Sequence, residues 1–183
     1  ITKVKKTYGY ARPVRILDPS RDRVEPPCPV AGKCGGCQLQ TMAYRRQLQL
    51  KEKIVEDALV RLGGFSVIKE GNGEEDGAGK ETVLLQSIYS LEPHLRYRNK
   101  AIVPVGRDRT GKTVAGFYAG RTHTIIPCGD CLLGPEENGA LMSSILSWME
   151  ENRILVYDER SGDGLIRHVF FRKSRLNGSI QIC

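Results

Sequence analysis

The sequence predicts an α/β (α+β) fold in which an antiparallel-rich sheet carries two covering helices and is preceded by short strands. Three observations carry this. Two stretches repeat apolar residues at helical spacing, four stretches between them alternate like strands joined by turns, and the first residues alternate apolar with basic side chains. With 183 residues, 40% of them hydrophobic and 27% charged, the chain is long enough to bury a core. It has no run of about 18 apolar residues that could span a membrane.

Residues 2–8 and 10–17 alternate around Gly9, the pattern of strands with one wet, positively charged face. The chain begins with Ile1 and lacks the apolar centre of a secretory signal, so its start reads as a cut rather than a natural terminus. Prolines 19, 26 and 27 mark an extended linker and a domain boundary near residue 20. The linker, with the cysteine-rich loop that follows, covers 21–39. The remaining domain covers 40–183.

From Gln40 the period becomes helical. Tyr44, Leu48, Val55, Ala58 with Leu59, and Leu62 recur at spacings of three, four and seven, and Gly63-Gly64 supplies the stop. Residues 69–81 are polar and glycine-rich and read as a mobile loop. Strands are expected at 83–89, 97–105, 113–119 and 122–127, with R-D-R-T-G-K as the turn between the second and third. A second amphipathic helix should cover about 136–152, its face made by Leu141, Ile145, Trp148 and Met149, with Trp148 in the core. V-F-F-R at 169–172 and S-I-Q-I-C at the end predict a hairpin with Asn177-Gly178 in its turn, the last strand severed at Cys183.

The net charge of +7 is segregated. Residues 94–127 carry Arg96, Arg98, Lys100, Arg107, Arg109, Lys112 and Arg121 against Asp108 alone, whereas 136–160 are mostly acidic. One cationic face is the footprint of a polyanion binder.

The chemistry lies in the cysteines. C-P-V-A-G-K-C-G-G-C places Cys28, Cys34 and Cys37 in a stretch too rich in Gly and Pro for helix or strand, and thiolates are soft ligands that select zinc, copper(I) or iron-sulfur clusters. A further ligand must come from elsewhere, and Cys128 and Cys131 in I-P-C-G-D-C-L-L-G-P are the candidates. Cys34 and Cys37 with Cys128 and Cys131 would make a zinc ribbon; the triplet with one distal thiolate would hold a four-iron, four-sulfur (4Fe-4S) cluster; disulfides or free thiols are the third reading.

P-S-R-D-R-V-E-P-P-C-P, then K-C-G-G-C-Q-L-Q and Y-R-R-Q-L-Q-L-K, closely resemble the iron-sulfur signature of the S-adenosylmethionine-dependent RNA uridine-C5 methyltransferases, the RumA and TrmA type. L-R-Y-R-N-K-A, G-F-Y-A-G-R-T-H-T-I-I-P with C-L-L-G-P-E, and G-L-I-R-H-V-F-F-R resemble further segments of that family. The resemblance implies that Cys28, Cys34, Cys37 and Cys131 hold a 4Fe-4S cluster, Cys128 being extra. It implies that residues 1–20 are the end of an RNA-gripping TRAM β-domain and that 40–183 are a central RNA-binding domain. The S-adenosylmethionine-binding catalytic domain would lie beyond Cys183, leaving no catalytic residue in this chain.

The activity implied is formation of 5-methyluridine in ribosomal RNA, 23S rRNA, by a cytoplasmic, monomeric enzyme with no membrane partner. Arg98 and Lys100, followed by Arg96, Arg121, Arg167 and His168, are the expected RNA contacts, with Tyr97 able to stack on a base. His94 and His123 are expected at the surface. The alternative is a non-catalytic zinc-ribbon RNA-binding module.

Overall fold

The computed structural model describes residues 1–70 and 81–183. The part of the predicted 69–81 loop from 71 to 80 lies outside the described residues.

The first strands are short. β1 (Lys3–Val4) and β2 (Gly9–Tyr10) form an antiparallel ladder, and residues 11–17 add nothing to it. Every residue from 1 to 25 is exposed, so the alternating pattern has no core to lie against. The proline-marked linker is tied down instead. The Val24 N–H donates to the Thr41 carbonyl at 3.0 Å, the Ala43 N–H to the Asp22 carbonyl at 2.8 Å, and Arg46 pairs with Asp22 at 3.4 Å.

α1 (Tyr44–Arg61) is the first predicted helix. It ends where the glycines forecast: the Gly63 N–H returns to the Ala58 carbonyl at 3.0 Å, and Gly64 takes φ 73°, which glycine reaches without a Cβ penalty. The helix packs on β3 (Ser66–Lys69), which pairs in parallel with β4 (Thr82–Leu85). No residue of α1 is buried, and Val55 and Leu62 face outward. Lys69 crosses from β3 to the helix, meeting Glu56 at 3.0 Å and Glu52 at 3.4 Å.

The main sheet has five antiparallel strands in the order β7-β6-β5-β8-β9. These are β5 (Lys100–Arg107), β6 (Thr113–Tyr118), β7 (Ile125–Pro127), β8 (His168–Lys173) and β9 (Ile180–Ile182). The β5–β6 turn closes on Asp108, whose carboxylate accepts from the Thr110 N–H at 2.8 Å, from its hydroxyl at 2.6 Å and from the Lys112 N–H at 3.1 Å. Gly178 takes φ 71° in the predicted β8–β9 turn.

α2 (Glu137–Glu151) covers one face of this sheet. The core joins Met142 and Met149 of the helix to Val103 and Val105 of β5, Ala115 of β6, and Val169 and Phe171 of β8, with Val156 closing one end. Trp148 departs from expectation: it is 49% exposed, whereas its neighbour Met149 is 2% exposed. One residue rotates the helix by about 100°, so a side chain next to the buried stripe sits on its flank.

The opposite sheet face follows from the register. Lys100 lies across from Arg172, Ile102 from Phe170, and Pro104 from His168. This face is therefore mixed basic and apolar, and Ile102 is more than half exposed on it.

Candidate metal centre and nucleic-acid interface

The loop from Cys28 to Cys37 is a succession of tight turns. The Ala31 N–H donates to the Cys28 carbonyl at 3.0 Å, and the Lys33 and Cys34 N–H groups both donate to the Val30 carbonyl, at 3.1 and 3.0 Å. Its far end is docked on the β6–β7 hairpin, where the Gly35 N–H donates to the Tyr118 carbonyl at 2.9 Å and Cys34 pairs with Ala119. A Cβ on Gly35 would lie 2.9 Å from the Gly120 Cα, so only glycine lets the two backbones approach this closely.

The same hairpin delivers the distal thiols. After Pro127 the Cys128 N–H donates to the Ala115 carbonyl at 3.2 Å, and a turn from the Cys131 carbonyl to the Gly134 N–H at 2.9 Å leads to α2. As a result Cys28, Cys34, Cys37, Cys128 and Cys131 line one cavity of about 40 Å³, with Gln40 and Arg98 in its wall. All five are free thiols, as is the exposed Cys183. Sequence reading separated Cys131 from Cys128; the structure places both at the cavity, as the short C-G-D-C spacing allows.

Burial raises the Cys37 thiol first, and the nearby Cys131, Cys34 and Cys28 raise it further, while Arg98 opposes them. Burial is also the main reason Cys128 is pushed up to about 11, helped by Cys131, Cys28 and Cys34. The Gly36 N–H points at the Cys34 sulfur at 3.4 Å, and the Cys128 thiol donates to the Asp130 carbonyl at 3.4 Å. Gln40 Oε1 is buried with no hydrogen-bond partner. Among the described residues, no three His, Cys, Asp or Glu side chains are grouped closely enough to hold a metal ion where they stand.

Arg96 has a role that sequence reading did not give it. Taking φ 57°, it sends Nη1 to Asp130 Oδ1 at 2.7 Å, to the Cys131 carbonyl at 3.0 Å and to the Gly134 carbonyl at 3.1 Å, with Nη2 on Asp130 Oδ2 at 2.6 Å. The Arg96 guanidinium holds the Asp130 carboxyl below the usual carboxylate range. The backbone reinforces the clasp: the Arg96 and Arg98 N–H groups donate to the Leu132 and Leu133 carbonyls at 2.8 and 2.9 Å. Arg96 therefore fixes the turn that carries Cys131.

The other basic candidates are scattered. Arg98 is exposed and makes no side-chain hydrogen bond or ion pair among the described residues. Together with Lys100, it borders a cleft of about 330 Å³ that also reaches Cys128 and Cys131. Arg121 is exposed at the β6–β7 turn with φ 61°. Arg167 is paired with Glu159 at 2.5 Å, and His168 is half-buried on the open sheet face. Arg172 was missed by sequence reading, although its place after V-F-F puts it on that face; it stands directly across from Lys100. Like charges in that position repel. Tyr97 is 40% exposed.

The fold and site define a class: an α+β unit that joins a cysteine-lined cavity to a basic sheet face. No family model matches the chain. Along its whole length it is 38% identical to an uncharacterized RNA methyltransferase of Clostridium tetani and 39% identical to one of Halalkalibacterium halodurans, spanning 36% of each. It is also 36% identical, over 94% of its length, to one of Staphylococcus epidermidis. The chain is similar to these RNA methyltransferases along its whole length or nearly so, and it spans about a third of the length of the relatives it matches. The crystal structure of Pyrococcus abyssi tRNA (uracil-54, C5)-methyltransferase in complex with S-adenosyl-L-homocysteine shares its fold, with TM-score 0.58 and 20% identity over 92% of this chain and 33% of that one.

Proposed function

We propose that this chain is the RNA-binding and cluster-binding part of an S-adenosylmethionine-dependent methyltransferase that forms 5-methyluridine in ribosomal RNA, 23S rRNA. Residues 1–20 are the end of a TRAM-type β-domain, 21–39 the linker and cluster loop, and 40–183 the central RNA-binding domain. One observation carries the reading: two cysteine segments nearly a hundred residues apart in sequence meet at one cavity, and Arg98 borders both that cavity and the cleft it shares with Lys100.

The donor chemistry suits a 4Fe-4S cluster on Cys28, Cys34, Cys37 and Cys131. Every candidate ligand is sulfur, a backbone N–H points at one of the sulfurs, and Arg98 offsets thiolate charge at Cys37. Gln40, in the same wall, leaves its Oε1 buried without a hydrogen-bond partner, an unused hydrogen-bonding capacity beside the thiols. When bound, the cluster supplies a structural cross-link and no redox step. The protein does the positioning: Gly35 seats the loop on the hairpin, and Arg96 fixes the turn bearing Cys131.

Lys100 and Arg172 support the RNA assignment. Their cross-strand repulsion is relieved by a phosphate placed between them. Methylating uracil at C5 requires a thiolate adding to C6, a base removing the C5 proton and a bound methyl donor. We assign those groups to the part of the relatives that this chain does not span.

The test is a salt titration of this chain on a 23S rRNA fragment by filter binding, with transfer RNA as the competitor. The logarithm of the binding constant should fall linearly with the logarithm of salt concentration. Binding that ignores salt, or none, would overturn the RNA reading. Stronger binding to transfer RNA would overturn the ribosomal one.

A further inference from the structure

On the other side of the cysteine loop, the start of α1 and the segment from Ile88 to Arg98 enclose a groove of about 610 Å³. That is within the range of about 300–1,000 Å³ typical of small-molecule sites. Its lining combines aromatic rings with two cations. Tyr44 and His94 are stacked, with centroids 4.3 Å apart and planes 12° from parallel, and the Tyr44 hydroxyl is held by the Leu91 N–H at 3.1 Å. Tyr89 is 93% exposed, and Tyr97 stands at the same groove. Lys51 and Arg98 line it as well, and neither is paired with a carboxylate among the described residues, although Arg98 also faces the Cys37 thiol.

We infer that this groove is a subsite for one unpaired nucleotide of single-stranded RNA, with its base on the Tyr44–His94 stack and its phosphates toward Lys51 and Arg98. The inference rests on the RNA reading above and adds a place to it. The stack is preformed, because the Leu91 hydrogen bond fixes the Tyr44 ring and His94 lies flat on it, so a base against His94 extends an ordered platform. Stacking is tolerant of base identity, whereas the two cations select for a polyanionic chain over a neutral aromatic ligand. Arg98 also lines the cysteine cavity, so occupation of the groove and order in the metal loop share one side chain.

The experiment is photo-cross-linking of the unaltered chain to an oligouridylate containing 5-iodouridine, followed by peptide mapping. Cross-links at Tyr89, His94 or Tyr97 are the expected result. Cross-links confined to the peptides bearing Lys100 and Arg172 would overturn the groove while leaving the RNA reading intact. Absence of any binding would overturn both. A companion measurement uses the His94→Ala, Tyr97→Ala double variant, which should bind the same oligonucleotide about tenfold more weakly with an unchanged salt slope, since stacking releases no counterions. An unchanged affinity in a folded variant would also overturn the subsite.

Discussion

Arg96 grips Asp130 through a two-pronged contact, Nη1 to Oδ1 at 2.7 Å and Nη2 to Oδ2 at 2.6 Å, and uses the same Nη1 on the Cys131 carbonyl. A lysine cannot reproduce this fork, because its ammonium is a point donor. Arg96→Lys should therefore behave much like Arg96→Ala. Each should lose about 1–2 kcal/mol of stability in urea unfolding, a modest figure because Asp130 is about half exposed. Both variants should also lose metal on purification. An Arg96→Lys variant with full stability and metal content would show that the fork does not position the turn.

The distal thiols are separated by a pair of single variants. Cys131→Ser should abolish iron binding and Cys128→Ser should retain it, as read from the iron content of anaerobically prepared protein. The reverse pattern would move the fourth ligand to Cys128, which the structure also places at the cavity.

Lys100 and Arg172 predict the electrostatics of the sheet face. Neutralising either residue, Lys100→Gln or Arg172→Gln, should weaken RNA binding for all sequences alike and lower the salt slope by about 1. Arg167→Glu should change less, because Arg167 is already paired with Glu159.

The Lys69 link between β3 and α1 sets the pH dependence of that packing. The hydrogen bond from Lys69 lowers the Glu56 carboxyl, and Glu56 in turn raises Lys69. A lowered carboxylate contributes stability above the unfolded glutamate value of about 4.3 and loses it as pH falls through the folded value; a raised lysine contributes below about 10.4 and loses it as pH climbs through its folded value. The contribution of this pair, read as the difference in melting temperature between the unaltered chain and Glu56→Gln, should thus be flat between these limits and fall on both sides. Glu56→Gln should flatten the acid limb and also reduce the alkaline one.

Phe171 is the most deeply buried large side chain, 1% exposed between β5 and α2. Phe171→Ala should cost about 3–5 kcal/mol in denaturant unfolding, and Phe171→Leu less, since it leaves a smaller cavity.

Much of this was legible in the sequence because the signals are local. Gly63-Gly64 ended α1, Asn177-Gly178 turned β8 into β9, and V-F-F-R at 169–172 fell within β8. What failed depends on partners distant in the chain. The pattern at 10–17 needed a sheet to bury it, and only Tyr10 pairs with another strand, where it stays exposed. The parallel pairing of β3 with β4 joins two four-residue strands too short to carry a period of their own. Trp148 shares the apolar composition of its helix but stands off the stripe centred on Met142 and Met149. In the site, the cysteine spacing was readable and the convergence on one cavity followed from it. Arg96 looked like one more surface cation, because its carboxylate lies 34 positions away.

In the proposed arrangement the loop and hairpin thiols form a single iron-sulfur site that clasps the linker to the sheet. Its most direct test is the metal and acid-labile sulfide content of this chain purified without oxygen. Iron and sulfide in equal amounts, lost together in Cys131→Ser, is the predicted result; stoichiometric zinc with no sulfide would contradict it.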